Sequence, residues 1–207
     1  LTAIASYASA SRRLLNSGDT DAAELASVLD KISTQAERAG QVIRSLRKLA
    51  RRQERLREPI DINALVAEVV RLVAFEFRNG GWQLRVELVP GLPTVRGDGV
   101  QIQQVILNLL RNAFEAMEEQ ASGDTVDVIT RLRDGDVLIE VLDQGPGMSA
   151  TAELRTFEPF YTTKPQGMGL GLSICKSIAA AHGGDLSYTR REGGGARFCL
   201  RLPVTED

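Results

Sequence analysis

Residues 157–173 read FEPFYTTKPQGMGLGLS, an aromatic loop with one lysine that runs through alternating glycines into the start of an apolar helix. Gly167, Gly169 and Gly171 remove side chains where backbone N–H groups must come close to something. The helix expected over residues 172–181 then offers unpaired first-turn donors and a positive dipole end. A loop that covers and a helix start that binds anions describe a cradle for a nucleotide polyphosphate. Taken alone, the same glycines also describe a plain flexible loop ending at a helix.

With 207 residues the chain holds one ordinary domain and a smaller appendage. A hydrophobic content of 43% and a charged content of 25% are those of a soluble globular protein, and a net charge of −2 gives no pull towards nucleic acid. Function must therefore come from a site. Cys175 and Cys199 stand in apolar helix and strand patterns and lack a metal-ligand spacing, which predicts buried thiols in a reducing compartment. No run of about 18 apolar residues and no basic-then-apolar leader is present. The expectation is a cytoplasmic segment without membrane contact of its own, compatible with a longer membrane receptor.

Residues 22–55 carry Leu25, Leu29, Ile32, Ala36, Ala39, Ile43, Leu46 and Ala50 at alternating spacings of four and three. That is a heptad seam of about four heptads. A shorter seam of Leu1, Ile4, Ala8, Ser11 and Leu15 precedes it, and the segment NSGDTD at 16–21 has the composition of a turn. Together they predict an antiparallel helical hairpin over residues 1–56. Arg44, Arg47, Lys48, Arg51, Arg52, Arg55 and Arg57 crowd the second arm, where a solvated helix face is the preferred reading over a partner surface. At about 1.5 Å per residue the second arm spans roughly 50 Å and the first about 24 Å, so further helix is expected before Leu1.

From Pro59 the pattern changes to alternating helices and strands, which places a second domain at 57–207. Asp61 caps a short helix through about Leu72, and residues 82–88 alternate as a strand. Asp98 and Gln101 make a capping-box-like start for a helix ending near Glu119. Residues 126–133 and 137–142 flank Asp134-Gly135-Asp136, a hairpin signal. Two further strands, near 186–190 and 197–202, are joined by Gly193-Gly194-Gly195. The fold class predicted is α+β: an α/β sandwich of a mixed sheet and about three helices, preceded by the hairpin.

Within the long helix, Asn108 and Asn112 are four residues apart and share a face with Val105, Leu109 and Ala116. Their carbonyls are hard oxygen ligands suited to Mg²⁺ and their amide N–H groups can donate to phosphate. Two exposed polar helix residues are the bland reading of the pair. Asp143 follows an apolar strand directly, in DQGPGM, so its carboxylate emerges at a strand end. There it can accept from an exocyclic amino group and tell adenine from guanine, with Gly145 and Gly147 letting the base approach the backbone. A tight turn with a solubilising aspartate is the alternative.

The order Asn-x-x-x-Asn helix, Asp-x-Gly-x-Gly, FEPFYTTK and Gly-x-Gly-x-Gly resembles the N, G1, F and G2 boxes of sensor histidine kinases, over residues 59–203. FEPFYTTK is similar to the nitrogen-, oxygen- and dicarboxylate-sensor subgroup. The resemblance implies a Bergerat ATP-binding fold in which Asn108 and Asn112 hold Mg²⁺ and phosphate and Asp143 binds the adenine amino group. Residues 148–168 would form a mobile lid. Lys164 would reach the phosphates, with Thr162, Thr163, Gly167, Gly169, Leu170 and Gly171 lining them. By the same resemblance Asn108, Asn112 and Lys164 are the catalytic set, with ATP and Mg²⁺ as cofactors.

The resemblance also implies that the hairpin dimerises into a four-helix bundle, and that its first helix carries a phosphoaccepting histidine. LTAIA at the N-terminus resembles the residues just after that box, which puts the acceptor about six residues before Leu1, abreast of Ile43 and Arg44 in the folded hairpin. A response regulator's aspartate would receive the phosphoryl group. His182 precedes Gly183-Gly184 at a helix end and reads as a cap that meets the negative dipole end, not as the acceptor. ATPases of the gyrase and Hsp90 type resemble this pattern with a glutamate base where Asn108 stands. An amide takes no proton from water at neutral pH, which favours phosphotransfer over hydrolysis. A degenerate kinase acting as a nucleotide-responsive docking module is the remaining alternative. Ala196 departs from a position where the family often has Ser or Thr, a change expected to weaken nucleotide affinity modestly.

Overall fold

The computed structural model describes residues 8–12, 25, 28, 29, 32, 58–119, 123–164 and 167–204. The chain divides into two compact units, Leu1–Arg52 and Gln53–Asp207. In the first unit the described residues are helical, including Ala8, Ser11, Leu25, Leu29 and Ile32 of the two seams. The other seam positions, the expected turn at 16–21 and the basic cluster of the second arm lie outside the described residues.

The second unit runs β1 (Glu58–Ile60), α1 (Ile62–Asn79), β2 (Gln83–Leu88), β3 (Val95–Gly97), α2 (Gly99–Glu119), β4 (Thr125–Arg133) and β5 (Asp136–Leu142). It continues with α3 (Ala150–Arg155), α4 (Gly171–Ala181), β6 (Asp185–Arg190) and β7 (Ala196–Pro203). The main sheet has the order β2-β4-β5-β7-β6, with β2 parallel to β4 and every other pairing antiparallel. Strands β1 and β3 form a separate antiparallel pair.

Period-two alternation sends Val126 and Val128 of β4, Val137, Ile139 and Val141 of β5, and Phe198, Leu200 and Leu202 of β7 into one core. Register puts Val128 opposite Val141 and Ile139 opposite Leu200, so these residues share a sheet face. Ile62, Val66, Val69, Val73 and Phe77 of α1, Ile102, Val105, Ile106, Leu109 and Leu110 of α2, and Cys175 and Ala179 of α4 complete that core. The opposite face carries charge. Glu140, only 2% exposed, is held there by Arg131 and Arg197 from the neighbouring strands, since a buried carboxylate survives only with partners. An α/β sandwich with a mixed sheet is thus the fold, as the residue pattern predicts.

Several elements differ from expectation. Helix α1 runs to Asn79, not to Leu72, because Val73 and Phe77 continue its buried stripe and Phe77 meets Phe114 edge-on, ring centroids 5.4 Å apart. The three-residue strands β1 and β3 are too short to show an alternation. The six-residue α3 hides in the expected lid, where Ser149 caps it by accepting from Ala152 N–H at 3.2 Å.

The start of α2 and the end of α4 are one structure. Asp98 Oδ1 accepts from the N–H groups of Val100 (3.0 Å) and Gln101 (3.3 Å), the expected cap. Gln101 Nε2 donates to Asp98 Oδ2 at 3.1 Å and leaves the Asp98 N–H to another acceptor. That acceptor is His182 Nε2, at 3.0 Å. Its Nδ1 donates to the carbonyl of Ile178 at 2.8 Å, so the imidazole is the neutral form protonated at Nδ1. His182 is therefore a C-cap, as expected, and also the clasp between two helices. A methyl on Gly97 would fall 2.5 Å from its ring. His182→Leu removes the acceptor of a half-buried N–H, and unfolding by urea should show a loss of about 0.5–1.5 kcal/mol.

Candidate nucleotide site

Helix α2 is the spine of the site. Asn108, Asn112, Glu115 and Ala116 follow one another along a single face, and each motif further along the chain meets that face. At Asn108 the partner is α4: its Nδ2 donates to Cys175 Sγ at 3.2 Å, and a Cβ on Gly171 would lie 3.0 Å from the amide. Burial pushes the Cys175 thiol up to about 11, so a neutral thiol faces the amide. At Glu115 the partner is Lys164, whose ammonium pairs with the carboxylate. At Ala116 it is the loop after β5, where a Cβ on Gly145 would come within 2.8 Å of the alanine methyl. Asn112 sits half-buried between these contacts.

Asp143 directly follows β5 and is 2% exposed. Its Oδ1 accepts from the N–H groups of Gly145 and Ala196, both at 3.0 Å. Among the described residues Oδ2 accepts no hydrogen bond, so one carboxylate oxygen is fully engaged and the other is available. Burial pushes the carboxyl above its ordinary range, opposed by those two N–H bonds and by the charges of Arg191 and Lys164. Ala196 thus serves Asp143 through its backbone, although it has no hydroxyl to offer. Gly145 and Gly147 are required by protein packing: Ala116 fills the space beside the first, and the Gly195 carbonyl lies 3.0 Å from a Cβ built on the second, at φ +69°.

Residues 148–164 pass from this loop to the glycine run. Met148 is held at both ends by β6, its N–H donating to the Tyr188 hydroxyl at 3.1 Å and its carbonyl accepting from Arg190 at 3.4 Å. Phe157 lies under the Lys176 ammonium, 4.9 Å from the ring centroid, and Tyr161 under Arg155 at 4.4 Å. Thr162 Oγ1 accepts from Lys164 N–H at 3.1 Å, and Thr163 is exposed. The loop then closes on itself. Phe160 N–H donates to the Gly169 carbonyl at 2.9 Å, and Gly169, at φ +65°, has the Tyr161 carbonyl 2.4 Å from where a Cβ would stand. Gly167 is constrained in the same way by Thr162 Oγ1, at 2.4 Å.

Helix α4 begins without a side-chain cap, unlike α1, where Asp61 accepts from Ala64 N–H, and α3. Its N-cap is the buried Leu170, whose carbonyl accepts from Ile174 N–H and Ser173 Oγ at 3.0 Å. The first-turn N–H groups beside Asn108 are thereby left without a protein side-chain acceptor, which suits an anionic ligand. With Asn108 Nδ2 turned to Cys175, its Oδ1, a hard oxygen, accepts no hydrogen bond among the described residues, and Asn112 is the second amide. These residues fit a cation shared with phosphate oxygens. Among the described residues no trio of His, Cys, Asp or Glu forms a metal cage.

Asn108, Asn112, Asp143, Lys164 and Gly171, far apart in the chain, are thus gathered along one helix face. Glu115, Cys175, Tyr188 and Arg191 were missing from the expected set. Glu115 was legible as the residue one helical turn after Asn112. The other three act through contacts that span 40 residues or more and leave no local signal.

A mixed α/β sandwich that carries a helix face with two amides, a buried strand-end carboxylate and an uncapped, glycine-started helix is the architecture of histidine kinase catalytic domains. Residues 97–206 match the family described as histidine kinase-, DNA gyrase B- and HSP90-like ATPase, and the chain belongs to that family. Sensor protein FixL of Bradyrhizobium diazoefficiens is 40% identical over 208 residues, which cover 100% of this chain and 41% of FixL. Among solved structures, the catalytic domain of histidine kinase ThkA superposes with a TM-score of 0.64 at 32% identity, covering 72% of this chain and 96% of that domain. Full-length ShkA, solved with AMPPNP, gives a TM-score of 0.74 at 27% identity over 89% of this chain and 39% of ShkA. The chain therefore spans about two fifths of the length of FixL and of ShkA. None of the helices among the described residues is long and apolar enough to cross a membrane.

The Asp143 loop depends on Gly195, which holds φ +95° with the Asp143 carbonyl oxygen 2.2 Å from where a Cβ would stand. Gly195→Ala combines that clash with a left-handed backbone, and its urea midpoint should fall by the equivalent of about 1–3 kcal/mol.

Proposed function

We propose that this chain is the catalytic part of a sensor histidine kinase: it binds Mg²⁺–ATP and supplies the γ-phosphate to a histidine. The observation that carries this reading is the α2 face, where Asn108 meets the α4 start, Glu115 meets Lys164 and Ala116 meets the Asp143 loop. Asp143 Oδ2 accepts the adenine amino group. The first-turn N–H groups of α4, Asn112 and Lys164 receive the phosphates, for which Lys164 exchanges Glu115. Asn108 and Asn112 would hold the divalent cation, which neutralises phosphate charge when bound. An imidazole nitrogen attacks the γ-phosphorus, the bond to the bridging oxygen breaks, and ADP leaves with that electron pair.

Phosphotransfer is favoured over hydrolysis because residue 108 is an amide, clamped by Cys175 and Gly171, and has no basic oxygen to take a proton from water. The acceptor is not His182, the chain's single histidine, because that ring is 6% exposed and bonded through both nitrogens within the domain's own framework. Its place in the relay suits a response-regulator aspartate as the final acceptor. We assign residues 1–56 to a dimerisation hairpin; Leu29, a seam residue 48% exposed in the single chain, supports a helical partner there. A cytoplasmic location follows from the same reading.

Calorimetric titration of the 207-residue chain with ATP should show binding that strengthens with Mg²⁺. Asn112→Ala should abolish the Mg²⁺ effect, and Asp143→Ala should weaken ATP at least about tenfold, the loss of a hydrogen bond to a charged group. Unchanged binding in both variants rules the site out. Incubation with γ-labelled ATP should leave no acid-labile label on this chain, and label on His182 would contradict the framework role given to it.

A further inference from the structure

Arg191 stands in the turn between β6 and β7, outside every nucleotide motif of the sequence. Its side chain turns back over that turn and Nη1 donates to the backbone carbonyl of Asp143 at 2.7 Å, a bond that spans 48 residues. The turn itself is tied down. Arg191 N–H donates to the Gly195 carbonyl at 3.2 Å, and the Arg191 carbonyl accepts from Gly194 N–H at 3.3 Å. Gly195 packs against the same Asp143 carbonyl, and the next residue, Ala196, both donates to Asp143 Oδ1 and accepts from Asp143 N–H, each at 3.0 Å. Every backbone atom of Asp143 that can hydrogen-bond is therefore held by residues 191–196, and Arg191 is the one side chain among the holders.

We propose that Arg191 is a positioning residue for adenine recognition: it fixes the Asp143 backbone so that Oδ2 points at the base. The inference rests on the ATP-site reading above and extends it to a residue outside the motifs. A guanidinium suits the task because it stays charged and its planar fork reaches a carbonyl while lying beside the carboxylate. The other charged or titratable groups facing Asp143 are Lys164 from the loop before α4 and Tyr188 from β6. Lys164 is engaged by Glu115, and the neutral tyrosine hydroxyl accepts from Met148 N–H, so among the described residues Arg191 is the cation with a direct bond to Asp143. Its removal disfavours the ionised form of a carboxyl that burial already pushes upward.

The test is the pH dependence of ATP and ADP binding to the 207-residue chain, wild type against Arg191→Met, Arg190→Met and Asp143→Ala. R191M should weaken ATP and ADP by the same factor, about three- to tenfold at neutral pH, as one lost hydrogen bond does. The acid limb of binding should move to higher pH in R191M, because the carboxylate is lost earlier as pH falls. R190M makes the same change in net charge one residue away and should leave that limb in place. Wild-type affinity and limb in R191M overturn the inference, as does an equal shift in R190M. If circular dichroism shows R191M unfolded, R191K decides: it should bind more weakly with the limb unmoved, and full wild-type binding refutes the role. D143A separates the two readings. ATP binding unaffected by D143A removes the adenine site altogether; binding lost in D143A but intact in R191M removes only the role of Arg191.

Discussion

The face of α2 that carries Asn108, Asn112, Glu115 and Ala116 is the surface on which the domain's other parts are assembled. The stripe that adjoins it, Ile102, Val105, Ile106, Leu109, Leu110 and Ala113, is sealed in the core, so the helix cannot rotate without exposing it. The polar face is thereby fixed in direction, and two later segments meet it at contacts too close for another side chain while a third pairs with it by charge. Gly171 abuts Asn108, Gly145 abuts Ala116, and Lys164 reaches Glu115. The glycines are less space reserved for a ligand than the condition under which the loops reach the helix.

Asp143 shows how a buried carboxyl is balanced between burial and its partners. Burial alone would favour a neutral acid, and two N–H bonds with two nearby cations oppose that while consuming only one carboxylate oxygen. The other oxygen accepts no hydrogen bond among the described residues. The arrangement also accounts for Ala196: the position reaches Asp143 through its main chain, so a hydroxyl there is an addition to the lock and not its foundation. Glu140, earlier on the same strand, is buried as deeply but paired on both sides by Arg131 and Arg197, which leaves it structural.

The residue pattern was most legible where elements are long and regular. The α2 cap at Asp98, the β4–β5 hairpin and the four antiparallel-sheet strands of the C-terminal half follow from periodicity and turn chemistry. It was least legible where elements are short, as in β1, β3 and α3, or where burial is decided by a distant ring, as at Phe77 against Phe114. Among site residues, those in motifs were visible because several chemical types recur at close spacing. Cys175, Tyr188 and Arg191 were not, because a thiol, a phenol and a guanidinium acting on distant backbone or amide atoms leave no periodic trace.

By itself the amino-acid sequence determined which groups the site would contain: two amides one helical turn apart, a carboxylate at a strand end and a glycine run opening a helix. Those are local properties, set by i,i+4 geometry, strand termini and backbone permissiveness. Only the tertiary structure decided how they are used. It turned Asn108 Nδ2 to sulfur, closed the Phe160–Gly169 loop on itself, paired Lys164 with Glu115, and made His182 a clasp on Asp98. The physical reason is that a hydrogen bond or a close packing contact depends on distance in space, and the chain brings such partners together only after the core has formed.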